Sequence, residues 1–330
     1  RNDGGGVFTR IPSSAFAGLH VPFTAAIWGD YDNDGFLDVF LPRFVSGQMV
    51  PSFLFHNDGD GTFTQVQQSP VTTDTGVTTG ASWADYDNDG WLDLFIGDNG
   101  GGKNRLYHNN GDGTFTRVLS GPIVSEGGTS AGGSWGDYDR DGFLDLFVPT
   151  GVSSGPQSNN YLYHNDGNSN AWLEVKCVGT RSNRSAIGAK VRAKATIGGK
   201  TFWQLREITT GNGWNESALE AHFGLGDATN VETLRIEWPS GTVQEFQNVA
   251  ARQYLTVTEP ARLVAPTMDQ PQSLTLQGGR NMRYDIQTST NLTDWTSLTT
   301  LIITNLNGTT LITDTNAPAS GSRFYRAVLH

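Results

Sequence analysis

Short apolar runs separated by turns rich in Gly, Asn and Asp recur along the whole chain, and no stretch sustains the 3.6-residue period of a long helix. Val39–Leu41, Leu94–Ile96 and Leu146–Val148 are uniformly apolar, β-type runs rather than helices. A second set, Phe53–Phe55, Leu106–Tyr107 and Tyr161–Tyr163, follows each of these. In the first two copies Asn57–Gly61 and Asn109–Gly113 come next, then Phe63 or Phe115; the third copy starts at Tyr161 and then diverges. Asn and Gly between two β-type runs predict a hairpin turn with positive φ. Farther on, Trp172–Lys176, Gly188–Ala195, Phe202–Ile208 and Val231–Trp238 read as strands, as do Tyr284–Thr288 and Arg323–Val328. The pattern predicts an all-β, turn-rich protein.

The apolar triplets are preceded by one acidic loop in three copies. Carboxylates occupy positions 1, 3, 5 and 9: Asp30, Asp32, Asp34 and Asp38; Asp85, Asp87, Asp89 and Asp93; Asp137, Asp139, Asp141 and Asp145. Gly35, Gly90 and Gly142 at position 6 allow a sharp turn. Alternate carboxylates on a tight loop converge, and Ca²⁺ takes six to eight oxygens. An EF-hand closes with an acid at position 12, where this chain has Leu41, Ile96 and Val148. The loops therefore read as calcium loops between strands, closed by Asp at position 9. Three Ca²⁺ ions are expected. Without a cation, four crowded carboxylates repel one another and retain protons.

The loops recur with a period of roughly 50 residues, which with several short strands per repeat suits propeller blades. Trp28, Trp83 and Trp135 each stand two residues before a loop and are expected to pack in the core of each repeat. The Trp and acidic-loop signature, followed by the Leu-Tyr and Gly-Asp-Gly-Thr-Phe signature, resembles the FG-GAP/VCBS repeat over residues 1–168. That resemblance implies β-propeller blades with calcium in their loops. It also implies that the backbone carbonyls of Phe36, Trp91 and Phe143, at position 7, complete each shell. The order Ile187–Val191, His222–Gly226, Trp238–Gly241 resembles the ASPIC/UnbV domain, over 169–260. A Pro-containing linker is expected at 261–272 and a small C-terminal β domain at 273–330, of a size that leans on a neighbour for its core. The fold class is then all-β: partial or incomplete propeller blades with calcium loops, followed by β-sandwich-like domains.

Arg1–Phe8 aligns with His56–Phe63, so the chain opens in the middle of a repeat. Three repeats supply too little sheet to close a propeller. Three expectations stay open: a fragment of a longer protein, completion by a neighbouring copy through strand addition into a filament, or a self-contained open stack.

The net charge of −11 excludes nucleic acid and anionic membrane surfaces as partners. Three dications would cancel about half of it. The one cysteine, Cys177, excludes an internal disulfide framework and reads as a buried structural thiol. No apolar run is long enough for a membrane helix.

Catalytic patterns dissolve on inspection. Gly132–Gly136 matches a nucleophile elbow, but it is one copy of a repeated slot that reads Gly80–Ala84 and Ala25–Gly29 elsewhere, and no strand-to-helix turn follows. His56, His108 and His164 recur at one repeat position and read as turn hydrogen-bonders rather than ligands. His222 reads as structural, and Asp227 as a turn cap. The sequons at Asn183, Asn215, Asn291 and Asn307 are close to chance for this composition. The reading is a non-enzymatic, calcium-binding, secreted or cell-surface structural or adhesive protein. Its expected partners are other copies or cell-surface proteins. The alternative is a carbohydrate-binding module with glycans as partners.

Overall fold

The structure is a computed structural model that describes residues 2–11, 15–16, 18–151, 159–211, 218–264, 273–304, 308–317 and 322–329. It is almost entirely β. By its contacts the chain divides into two compact units, one of residues 1–174, 191–235 and 245–254, the other of 175–190, 236–244 and 255–330.

In the first unit, β1 (Asn2–Gly4) and β2 (Val7–Phe8) form a small hairpin. The first repeat sheet joins β3 (Ile27–Gly29), β4 (Asp38–Leu41), β6 (Phe53–Asn57) and β7 (Phe63–Gln65), antiparallel and in that order; β5 (Val50–Pro51) pairs instead with β8 (Thr75–Gly76). The second contains β9 (Thr78–Ala84), β10 (Asp93–Asp98), β11 (Arg105–Asn109) and β12 (Phe115–Arg117). The third has only β13 (Ser134–Gly136), β14 (Asp145–Val148) and β15 (Tyr161–Tyr163). Among the described residues no sheet closes on itself, and these three do not complete a propeller ring.

Alternation of side chains sorts each repeat into two faces. Phe40 and Leu54 of the first repeat bury against Ala81, Leu94, Ile96 and Tyr107 of the second. Phe95 and Leu106 of the second bury against Leu146 and Val148 of the third. Two single-turn helices, α1 (Pro70–Thr73) and α2 (Pro122–Ser125), seat Val71 and Val124 in these two seams, each with Pro in its first turn. The sequence periodicity does not reveal them, because one turn is too short to show a period.

The repeated Trp behaves as expected in two copies and not in the third. Trp83 stacks on Tyr31 at 6.0 Å and Trp135 meets Phe95 edge-on at 6.3 Å. Trp28, by contrast, is 51% exposed. Its ring meets Phe63 of its own repeat edge-on at 6.2 Å.

Downstream come β16 (Ala171–Val178), β17 (Lys190–Ile197), β18 (Lys200–Glu207), β19 (Glu220–Gly226), β20 (Asn230–Glu237), β21 (Val243–Ala250) and β22 (Gln253–Thr258). They form sheets ordered β18-β17-β20-β21 and β19-β16-β22. Cys177 is buried and its thiol pKa is pushed up to about 12 by that burial, which suits a structural thiol.

In the second unit, Glu259 is a buried anchor. Its carboxylate accepts the backbone N–H groups of Thr180, Arg181 and Ser182 and bonds the Ser240 hydroxyl. The segment Arg262–Val264, assigned by composition to the linker, is a strand, β23; Leu263 pairs with Leu276. Residues 265–272 and the sequons at Asn215 and Asn307 lie outside the described residues. β24 (Ser273–Gln277), β25 (Arg283–Ser289), β26 (Thr296–Ile302), β27 (Thr309–Thr313) and β28 (Phe324–Leu329) complete two three-stranded sheets. They enclose a core of Leu274, Leu276, Tyr284, Ile286, Ile303 and Ile312.

Candidate metal centres in the acidic loops

Each acidic loop leaves the first strand of its repeat and returns as the second, so the strand pairing fixes both ends. Asp38 stands opposite Gly29, Asp93 opposite Ala84 and Asp145 opposite Gly136. Within that frame the three loops make the same backbone bonds. The position-1 carboxylate accepts the N–H of the position-6 glycine: Asp30 from Gly35 at 3.1 Å, Asp85 from Gly90 and Asp137 from Gly142 at 2.8 Å. Asp34, Asp89 and Asp141 accept from Phe36, Trp91 and Phe143 at 2.8–2.9 Å. At position 9, Asp38, Asp93 and Asp145 each accept the N–H of Tyr31, Tyr86 and Tyr138 at 3.2 Å. The position-6 glycines adopt φ of +93°, +97° and +92°, which side chains avoid.

These bonds turn the carboxylates inward. Oxygens of Asp30, Asp32 and Asp38 lie within 4.8 Å of one another, as do those of Asp85, Asp87 and Asp89. In the third loop, Asp139 and Asp145 gather in the same way with His164. Asp30, Asp38, Asp85, Asp93 and Asp145 are buried. Oδ1 of Asp30 and of Asp87 is buried with no hydrogen-bond partner. In the first two loops an all-oxygen set with a buried, unpartnered carboxylate atom fits a hard dication, and Ca²⁺ tolerates the irregular geometry of such a loop better than Mg²⁺.

Electrostatics without a cation report the crowding. Burial, reinforced by Asp38 and Asp34, raises the Asp30 pKa to about 7. Burial raises Asp38 to about 8, against the opposing bond from the Asn57 N–H. In the second loop burial lifts Asp93 to about 7, and burial with the charge of Asp87 lifts Asp89 to about 6. Asp85 is raised well above the carboxylate range by burial and by Asp89, Asp93 and Asp87.

Three histidines and three asparagines outside the loops join the sites. His56 Nδ1 lies 3.0 Å from Asp32 and 3.3 Å from Asp38; His108 lies 3.2 Å from Asp87 and 3.3 Å from Asp93. His164 is 3.5 Å from Asp139 and 3.2 Å from Asp145. They thus rest on carboxylates of the acidic loops. Hydrogen bonds to Asp87 and Asp93 raise the His108 pKa to about 10. The next residue in each repeat braces the loop: the N–H groups of Asn57, Asn109 and Asn165 donate to Asp38, Asp93 and Asp145. The side-chain amide of Asn109 also donates to Tyr31 O and that of Asn165 to Tyr86 O, each in the preceding loop. Their signal in the sequence is the recurring His-Asn pair.

Strands β16 to β19 supply the floor. Gly226 N–H donates to Asn88 O at 2.8 Å, and Trp91 stacks on Phe202 at 4.9 Å. Gly224 lies so close to the second loop that a Cβ there would stand 2.1 Å from Asp85 Oδ2 and 2.5 Å from Asn88 Cα. Burial lowers the His222 pKa to about 4, so the ring is neutral and its Nε2–H donates to Gly142 O at 3.2 Å. Arg206, held by His222 O at 3.0 Å, places a positive charge that acts on both Asp85 and Asp30. Tyr254 OH donates to Asp137. His222 is structural, as expected; Asp227 accepts the Gly198 N–H at 2.7 Å, a turn role.

Comparison with known proteins now has geometry to meet. The FG-GAP-like repeat model matches residues 44–96 and 85–148, and the ASPIC and UnbV model matches 179–264. Cartilage acidic protein 1 of Mus musculus is 30% identical over 271 residues, covering 78% of this chain and 40% of the relative. Its counterpart in Homo sapiens is also 30% identical, covering 78% of this chain and 39% of the relative. The chain therefore spans about two fifths of the length of the curated relatives it matches. A solved tetra-tandem repeat from the extending region of a large adhesion protein aligns over 94% of this chain at 10% identity. Its TM-score of 0.16 is too low to inform the fold.

Proposed function

We propose that this chain, which carries FG-GAP-like repeats followed by an ASPIC and UnbV domain, is a calcium-rigidified extracellular structural or adhesive protein. The observation that carries the reading is the threefold recurrence of one carboxylate cage with one set of backbone bonds. Asp30, Asp32, Asp34 and Asp38, with their counterparts in the other two loops, would hold one Ca²⁺ each. The position-7 carbonyls of Phe36, Trp91 and Phe143 would complete the shells. A bound dication offsets the repulsion that the buried carboxylates otherwise relieve by holding protons. Millimolar calcium outside cells matches the affinity range of extracellular calcium modules. The role is mechanical rather than chemical, and the partners are other copies or cell-surface proteins. Metal analysis and calcium titration of the purified chain test it; a chain that binds no calcium and melts identically with and without chelator refutes it.

Glycan binding is a second reading, favoured by one observation. A cavity of about 230 Å³ in the first unit is lined by Ser82, Trp135, Glu174 and His222, among others. Ser82 Oγ, Trp135 Nε1, Glu174 Oε2 and His222 Nδ1 are all buried without a hydrogen-bond partner. Two acceptors and two donors beside aromatic rings suit sugar hydroxyls, which both donate and accept. A glycan array distinguishes this reading from the first.

A further inference from the structure

Four buried polar atoms without partners line one cavity of about 230 Å³ in the first unit: Ser82 Oγ, Trp135 Nε1, Glu174 Oε2 and His222 Nδ1. Buried polar groups ordinarily find partners, so four orphans around one hole mark a seat for a ligand. Two of these residues are almost wholly enclosed, Glu174 at 5% and His222 at 8% exposure. They belong to neighbouring strands, β16 and β19. Glu220 and His222 alternate along β19 and so share a face. The Glu174 carboxyl hydrogen-bonds that of Glu220. The His222 ring is neutral with its proton on Nε2, committed to the Gly142 carbonyl, so Nδ1 presents a bare lone pair. The floor strands thus offer two carboxyl groups and one imidazole nitrogen as acceptors. The repeat sheets offer donors, Trp135 Nε1–H and the Ser82 hydroxyl, and Ile27, Leu92 and Leu144 supply apolar wall.

The charge of the cavity is one-sided. Among the described lining residues, Asp85 and Asp137 go to the acidic loops, which leaves Glu174, Glu207 and Glu220 against Arg206. Arg206 spends its guanidinium on His222 O, Leu205 O and Gln204 Oε1. Burial and the Glu220 partner raise the Glu174 pKa to about 9, so without a cation the pair holds a proton. We propose that this cavity binds an amino sugar, its protonated amine on Glu174, Glu220 and His222 Nδ1 and its hydroxyls on Trp135 and Ser82. Such binding rests on the glycan reading above and narrows the class of sugar. A primary ammonium carries three N–H donors, one for each acceptor. Hydrogen bonds to charged groups are the strong ones, so the amine decides which sugar is held.

Isothermal titration calorimetry of the full chain with D-glucosamine, N-acetyl-D-glucosamine and D-glucose tests it. Saturating calcium keeps the amine off the acidic loops. Glucosamine should bind, and the two sugars without a charged amine should bind about tenfold more weakly or worse. Glu174→Gln keeps the shape of the side chain and removes its charge. Glucosamine affinity should fall by a similar factor in that variant, while calcium content and the circular dichroism spectrum stay native. Should it misfold, Glu220→Gln makes the same test at a less buried position. Glucosamine bound no better than glucose overturns the amine assignment and leaves a neutral-glycan site standing; no binding of any of the three overturns both. Undiminished glucosamine binding in a folded variant also overturns it, since the amine would then sit elsewhere.

Discussion

The side-chain amide of Asn88 donates to the carbonyl of Gly142 at 3.0 Å, tying position 4 of the second loop to position 6 of the third. Asn33 makes the same bond to Gly90. In the third loop that position is Arg140; its guanidinium lies over the Tyr254 ring at 4.7 Å, and Tyr254 is itself bonded to Asp137. The loops thus form a linked series whose last member is closed by β22.

Removing one link should weaken both loops that it joins. Asn88 is buried and adopts φ of +57°, so Asn88→Ala loses a buried hydrogen bond and strains the backbone. The expected cost is about 1–3 kcal/mol, and Asn88→Gly should recover the backbone part. Urea denaturation measures the loss; calcium titration should show weaker binding at two sites, not one.

Acid should stabilise the calcium-free protein. Asp30, Asp38, Asp89 and Asp93 have folded pKa values raised to about 7, 8, 6 and 7 from an ordinary 3.8. Between about pH 4 and pH 8 the folded state therefore binds more protons than the unfolded state, and stability falls as pH rises. With saturating calcium the trend reverses, because ligands must be deprotonated to bind metal. Melting temperatures at pH 5 and pH 8, with chelator and with calcium, test the crossing; parallel trends would contradict it.

The three repeated tryptophans should not be equivalent. Trp83→Ala and Trp135→Ala remove side chains packed between repeats and should cost roughly 2–4 kcal/mol, at or below the usual range for a buried aromatic. Trp28→Ala, exposed in the single chain, should change stability by about 0.5 kcal/mol or less when measured at low protein concentration.

Gly224→Ala probes the floor beneath the second loop. The added methyl would meet Asp85 Oδ2 and the Asn88 backbone, so the loop must move. Calcium should be lost or weakened most at that site, with a smaller loss at the third site that Asn88 links to it, while the first titrates normally. Unchanged titration at all three sites would show that β19 does not position the loop.

Much of this was legible in the chain. Four carboxylates within nine residues, repeated three times, announce the loops, and the apolar triplets announce the strands after them. What escaped was set by long-range contact. Asn109 and Asn165 bond a carbonyl in the preceding loop, and no local pattern marks a partner nearly eighty positions away. Nothing local marks Gly224 either; its reason is the close approach of the second loop, whose Asn88 carbonyl also accepts the Gly226 N–H. Trp28 matched its counterparts in sequence and differs from them in burial, because burial is set by contacts from outside the repeat: Trp83 stacks on Tyr31 of another repeat, and Trp28 meets Phe63 of its own.

The central claim is that the three acidic loops are calcium sites, and metal stoichiometry tests it most directly. After equilibrium dialysis against millimolar calcium, plasma emission analysis should find three Ca²⁺ per chain. Asp87→Asn with Asp89→Asn should bring that to two and lower the melting temperature. No bound calcium in the native chain, or an unchanged content in the double variant, would contradict the account.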